Sequence, residues 1–126
     1  MSDRLKGVVV SHGRLGEALV QATQSITGDA DALLAVSNEG CGRDALLDRV
    51  QQAVGNEPCV VFVDLPGGSC FQAAARLHHD KATMAVVAGV NLAMLLDFVY
   101  HADDDPAAAA DRAVQTGGQA IQTLGR

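Results

Sequence analysis

Short apolar runs alternate along this chain with longer stretches of helical period, and that alternation predicts an α/β fold, a parallel sheet covered by helices on both faces. The run Cys59-Val60-Val61-Phe62-Val63 supports this class. It is continuously apolar and mostly β-branched, as strands buried on both faces in the centre of a parallel sheet are. The connections are short, and there is no linker, internal repeat or low-complexity tract beyond the helical Ala107–Ala110 run. At 126 residues, 48% hydrophobic and 19% charged, the chain can bury one core and reads as a single domain over residues 1–126.

The first strand is Gly7-Val8-Val9-Val10, closed by Ser11-His12-Gly13. Leu15, Leu19, Ala22 and Ile26 then recur at three- and four-residue spacing, a helix stripe that stops at Gly28. Ala32–Val36 is a weaker strand, followed by the loop Glu39-Gly40-Cys41-Gly42. A second helix carries Leu46, Leu47, Val50, Ala53 and Val54 and ends at Gly55-Asn56. After the central strand, Cys59–Val63, comes Asp64 and the turn Leu65-Pro66-Gly67-Gly68. Ser69 is suited to cap the helix through Phe71, Ala74, Ala75 and Leu77. Met84–Ala88 is a fourth strand, followed by Gly89-Val90-Asn91 and a helix over Leu92–Tyr100. Asp103-Asp104-Asp105 followed by Pro106 suits the first turn of a last helix.

Composition excludes several functions. The net charge is -6, from 9 Lys and Arg against 15 Asp and Glu, so no run of phosphates is neutralised and no nucleic-acid partner is expected. With no Trp, one Tyr and three Phe there is no stacking platform for bases or sugars. A protein partner with a basic face remains open. Cys41, Cys59 and Cys70 are odd in number and form no CxxC pair, which suits a reducing compartment. The N-terminal apolar run is too short for a signal-peptide core or a span, so the expectation is a soluble, cytoplasmic protein with no direct membrane insertion. Neither GxxxxGK[ST] nor GxGxxG occurs, and no cofactor is expected.

Ligands of open α/β sheets bind beyond the carboxyl ends of the strands, near the point where strand order reverses. His12 follows one strand, Asp64 another, and Asn91 a third. An imidazole at such an edge can use one nitrogen as nucleophile while the other donates to a partner. A carboxylate at the same level can fix the tautomer and stabilise positive charge on the ring. Gly67-Gly68-Ser69 adds free backbone N–H groups and a hydroxyl at a helix start, an anion cradle. Together these describe phosphoryl transfer through a phosphohistidine. Each residue also has an ordinary reading, as a satisfied loop histidine, a turn former or a plain helix start. Convergence on one sheet end leaves phosphoryl transfer level with those readings.

Other candidates are weaker. His78-His79-Asp80 places adjacent side chains apart on a helix end, where favourable dipole placement accounts for them. Cys70 follows the expected cap, where a lowered pKa is conceivable, but with no second thiol or base in view it reads as packing. Cys59 reads as strand filling. Asp103 to Asp105 read as a solvated loop, and no metal site is expected.

The same residues resemble the enzyme IIA domain of the mannose-type (mannose/fructose/sorbose) phosphoenolpyruvate:sugar phosphotransferase system. The resemblance covers nearly the whole chain and rests on Val9–Gly13, Val63–Ala74, Ala88–Leu96 and the Asp103–Pro106 helix start. It implies that His12 is phosphorylated by the phosphocarrier HPr and passes the group to a IIB domain in sugar uptake. Asp64 matches the carboxylate that hydrogen-bonds this histidine, and Ser69, with the backbone around Gly68, matches the groups holding the phosphoryl oxygens. The implied fold has four parallel strands plus a C-terminal antiparallel edge strand, exchanged between subunits of a homodimer. Here that strand would fall around Gln119 to Leu124, after a break at Gly117-Gly118. The chain departs from the family pattern at Cys70 and Ala93, where Pro is usual, and at Pro66, where a bulky apolar residue is common. None removes a reacting group, but all flank the site. The chain resembles a lone IIA domain, with no IIB domain fused after Arg126. Its alternative roles are a regulatory IIA protein whose His12 phosphorylation controls binding, or the phosphoryl donor subunit of a dihydroxyacetone kinase. An inactive scaffold or a metal hydrolase fits less well.

Overall fold

The computed structural model describes residues 4–81, 83–101 and 105–125. Four strands, β1 (Lys6–Ser11), β2 (Leu33–Ser37), β3 (Cys59–Val63) and β4 (Met84–Ala88), form one parallel sheet in the order β2-β1-β3-β4. Between and after them run α1 (Leu15–Thr27), α2 (Arg43–Val54), α3 (Gly68–His79), α4 (Leu92–Tyr100) and α5 (Pro106–Gln119). The order reverses between β1 and β3, which are paired directly with Val10 opposite Val63.

Alternate residues of the two central strands feed two cores. Val9, Val60 and Phe62 face α1, α4 and α5, and the Phe62 ring meets Phe98 edge-on at 5.4 Å between centroids. Val8, Val10, Val61 and Val63 face α2 and α3, against Leu46, Val50, Cys70 and Ala74. Every residue of β3 is buried, as its unbroken apolar run predicts, and Cys59 fills the strand.

The expected stripe of α1 is rotated. Its buried residues are Gly16, Val20 and Thr23, while Leu15 and Ile26 are 49% and 53% exposed. The helix sits close on β1 at Gly16, where a Cβ would lie 2.9 Å from Ser11 Oγ and 3.3 Å from the Val9 carbonyl oxygen. Thr23 is tolerated inside because its hydroxyl donates to the Leu19 carbonyl at 2.8 Å. The face of Gly16, Val20 and Thr23 therefore meets the sheet, with the half-buried Leu19 packed against the same core.

At the other end, α5 runs through Gly117-Gly118 to Gln119 with no break. Gly117 is there for contact: a Cβ would meet Met94 Cγ at 2.4 Å, and its carbonyl accepts from Asn91 Nδ2 at 3.0 Å. The antiparallel edge strand expected around Gln119 to Leu124 is not formed. Gln119 closes the helix, and residues 121–123 have no strand partner among the described residues. An isolated segment has no ladder to join within one chain. Ile121 and Leu124 point into solvent, and β4 lies at the sheet's edge. Of the acidic run, Asp105 is the residue before α5, with Pro106 in its first turn; Asp103 and Asp104 lie outside the described residues.

Candidate active site

The reversal between β1 and β3 opens the carboxyl edge of the sheet where His12 and Asp64 emerge from adjacent strands. His12 directly follows β1, and Gly13, at φ 58, turns the chain towards α1 in a conformation that favours glycine. The turn is held from three sides. Ser11 Oγ accepts the Gly16 N–H at 2.6 Å, Asn38 Oδ1 accepts the Gly13 N–H at 3.1 Å, and Ser37 Oγ donates to the Gly13 carbonyl at 2.6 Å. Ser37 ends β2 and Asn38 follows it at the same sheet edge. The rule that directs attention to strand ends reaches them too, but only once β2 is known to neighbour β1.

Asp64 Oδ2 accepts the His12 backbone N–H at 2.9 Å and lies 2.9 Å from His12 Nδ1. The carboxylate side chain is 8% exposed and the imidazole 43%. Burial opposes charge on Asp64, but the His12 N–H and ring outweigh it and hold its carboxyl below the ordinary carboxylate value. An ionised Asp64 selects the tautomer with the proton on Nδ1, which leaves the lone pair of a neutral ring on Nε2.

The start of α3 lies beside that nitrogen. A Cβ placed on Gly68 would stand 3.7 Å from His12 Cε1 and 3.8 Å from Nε2. Gly68, at φ 85, is the first residue of α3, and Gly67 is its extended N-cap. Ser69 therefore does not cap the helix as expected. It sits one residue further in, exposed, with the helix-start N–H groups beside it uncapped by any side chain. That arrangement suits an anion arriving at Nε2.

Cys70 is the residue that spacing alone misplaces. It is fully buried, and its Sγ lies 3.9 Å from His12 Nδ1, so a base does stand beside it. Its thiol pKa is raised, not lowered, first by burial and then by the nearby Asp64 charge. His12, Asp64 and Cys70 each offer a donor atom within 4.8 Å of the others, the one such trio found among the described residues. Among the described residues, His78, His79 and Asp80 belong to no such group. Asn91, the other strand-end candidate, is structural: its Oδ1 accepts the Met94 N–H at 3.0 Å and caps α4.

Known proteins share this framework. Over 124 residues the chain is 28% identical to the PTS system mannose-specific EIIAB component of Escherichia coli (strain K12), covering 93% of this chain and 38% of that protein. It is 32% identical over 95 residues to the PTS system fructose-specific EIIA component of Bacillus subtilis (strain 168), covering 71% and 65% of the two. The solved mannose/sorbose specific IIA subunit of the phosphotransferase system from Enterococcus faecalis superposes with a TM-score of 0.82 at 30% identity, over 98% of this chain and 96% of that one. Residues 6–115 match the family model described as PTS system fructose IIA component, which spans most of the chain and includes His12, Asp64 and the start of α3. The chain therefore belongs to the mannose-type IIA family of the sugar phosphotransferase system.

Proposed function

We propose that this chain is a IIA phosphocarrier that accepts a phosphoryl group from HPr phosphohistidine on His12 Nε2 and passes it to a IIB domain in sugar uptake. The observation that carries the reading is the double approach of Asp64 Oδ2 to the His12 N–H and Nδ1, both at 2.9 Å. In the transfer, the Nε2 lone pair forms the new N–P bond as the P–N bond to HPr breaks, and the electron pair of that bond stays with the HPr imidazole. The proton on Nδ1 does not move. Asp64 offsets the positive charge that develops on the ring, and the Gly67-Gly68-Ser69 helix start takes the phosphoryl oxygens.

The protein acts in the cytoplasm in this reading; among the described residues no helix is long and apolar enough to cross a membrane. Residues 1–126 act as one IIA domain, and two copies form a homodimer. The segment around Gln119 to Leu124 adds an antiparallel strand to the partner's sheet. The exposed Ile121 and Leu124, and the open edge at β4, support that exchange.

The test is incubation of the purified chain with phosphoenolpyruvate, enzyme I and HPr, beside His12→Ala. Acid-labile, alkali-stable label on the wild type alone is the expected result. Absence of label on a folded wild-type protein overturns phosphotransfer.

A further inference from the structure

His12, Asp64 and Cys70 come from three separate stretches of chain, and their donor atoms lie within 4.8 Å of one another. Two of the three separations are 2.9 Å, from Asp64 Oδ2 to His12 Nδ1, and 3.9 Å, from His12 Nδ1 to Cys70 Sγ. A tetrahedral zinc ion with ordinary bond lengths needs its nitrogen, oxygen and sulfur donors about 3.3–3.6 Å apart. Shifts of about half an ångström, well within side-chain adjustment, bring those two separations to that range. Asp64 also has ligating capacity to spare, because its Oδ1 is buried and has no hydrogen-bond partner among the described residues. The half-exposed His12 ring gives an ion a route to the buried sulfur. Imidazole, thiolate and carboxylate together suit zinc or cobalt, and they disfavour magnesium and calcium, which prefer all-oxygen shells.

We propose that His12 Nδ1, Asp64 and Cys70 form a binding site for a zinc-class divalent cation, and that the metal and the phosphoryl group exclude one another on His12. The second half rests on the phosphocarrier reading above. The exclusion follows from proton positions. A neutral imidazole carries one proton, and a cation bound at Nδ1 moves that proton to Nε2. Cys70 gives up its thiol proton to solvent as the metal–sulfur bond forms, and water completes the coordination. With Nε2 protonated, no lone pair is left to attack phosphorus. Phosphotransfer is thereby silenced without any movement of the fold.

The probe is cobalt(II), titrated into the full chain, followed by zinc. The wild type is expected to develop a thiolate-to-cobalt charge-transfer band at one ion per chain, and zinc is expected to displace it. Cys70→Ser and, as a second variant should that one fail to fold, Cys70→Ala lose the band, whereas Cys41→Ser keeps it. NMR of the His12 ring nitrogens is expected to show the Nε2–H tautomer on zinc addition. In the phosphorylation assay, zinc is expected to slow wild-type labelling at least tenfold. Each Cys70 variant, measured against its own zinc-free rate, is expected to show no change. Absence of the band in the wild type, or its survival in both folded Cys70 variants, overturns the site. A band with an unchanged ring tautomer overturns the exclusion. If no condition yields label while band and tautomer behave as stated, the phosphocarrier reading fails and the metal site stands.

Discussion

One carboxylate oxygen of Asp64 serves both the main chain and the ring of His12: Oδ2 lies 2.9 Å from the His12 backbone nitrogen and 2.9 Å from Nδ1. Anchoring the backbone N–H fixes where the ring begins, and facing Nδ1 fixes how it turns. Asp64→Asn keeps the size of the side chain but removes the charge that selects the Nδ1–H tautomer. Phosphorylation of His12 is expected to slow by about 10²-fold, the scale at which misorientation of a reacting group is felt. Stability is expected to fall by about 1–3 kcal/mol at neutral pH, as for a lost charge-assisted hydrogen bond. The Asp64 pKa is depressed in the folded chain, so its contribution is fully present above the unfolded-state value. It is lost as pH falls through the folded value. Urea denaturation of both proteins between neutral pH and about pH 3 checks this, because the gap between wild type and variant should close on acidification. A gap of the same size at every pH would mean that the Asp64 carboxyl is not depressed in the folded chain.

Gly68 joins backbone conformation to catalysis. At φ 85 any side chain is strained, although a Cβ itself would only touch the His12 ring at ordinary contact distance. Gly68→Ala is therefore expected to cost about 1–2 kcal/mol through the backbone and not through collision. Relief of the strain would tilt the start of α3 away from Nε2. Thermal denaturation reads the first effect and the rate of His12 labelling reads the second. A destabilised variant that is labelled at the wild-type rate would show that the start of α3 takes no part in transfer.

The strands are legible in the sequence because buried parallel strands need unbroken apolar runs, and β3 and β4 occupy the residues that their patterns predict. His12 and Asp64 were legible because strand ends in such sheets point to one edge. Helix faces are less legible. In α1 the leucines mark the helix period, but the contact face is set by how closely Gly16 allows the backbone to approach β1. That proximity is a property of the packed pair and leaves no periodic trace. Gly117-Gly118 reads as a break for the same reason: the need for glycine comes from Met94, more than twenty residues away in sequence. Cys70 next to His12 was invisible because the contact depends on how far α3 reaches over the end of β1.

Asp97 is the buried acid that the site does not use. Its Oδ2 accepts from Arg112 Nε at 3.0 Å and its Oδ1 from Thr116 Oγ1 at 2.9 Å, which ties α4 to α5. Loss of the carboxylate removes the charge opposite Arg112 and the acceptor for Thr116 across the α4–α5 contact. Asp97→Ala is expected to cost about 2–4 kcal/mol, below the full figure for a deeply buried pair because Arg112 is partly in water. Asp97→Asn keeps an acceptor for Thr116 and should cost less. Equilibrium unfolding of the two variants checks the order. Equal losses would mean that the charge adds nothing beyond the hydrogen bonds.

The exposed apolar residues after α5 carry the last expectation. Ile121 is 77% exposed and Leu124 fully exposed, an unfavourable place for two large aliphatic side chains in a monomer. β4 meanwhile leaves one side of its backbone without a strand partner among the described residues. If each chain lays this segment along the other's β4, both faults are removed by one symmetric exchange. Burial of each side chain contributes about 1.5–3 kcal/mol, and the symmetric dimer holds two copies of each, so Ile121→Asp or Leu124→Asp should weaken the dimer by roughly a hundred- to ten-thousandfold. Sedimentation velocity across a concentration series measures this directly. The wild type is expected to sediment as a dimer, and the double variant as a monomer that keeps its helical circular dichroism because the segment adds nothing to the core of its own chain. A wild type that remains monomeric at high concentration would overturn the exchange and leave the apolar tail without a partner in this protein.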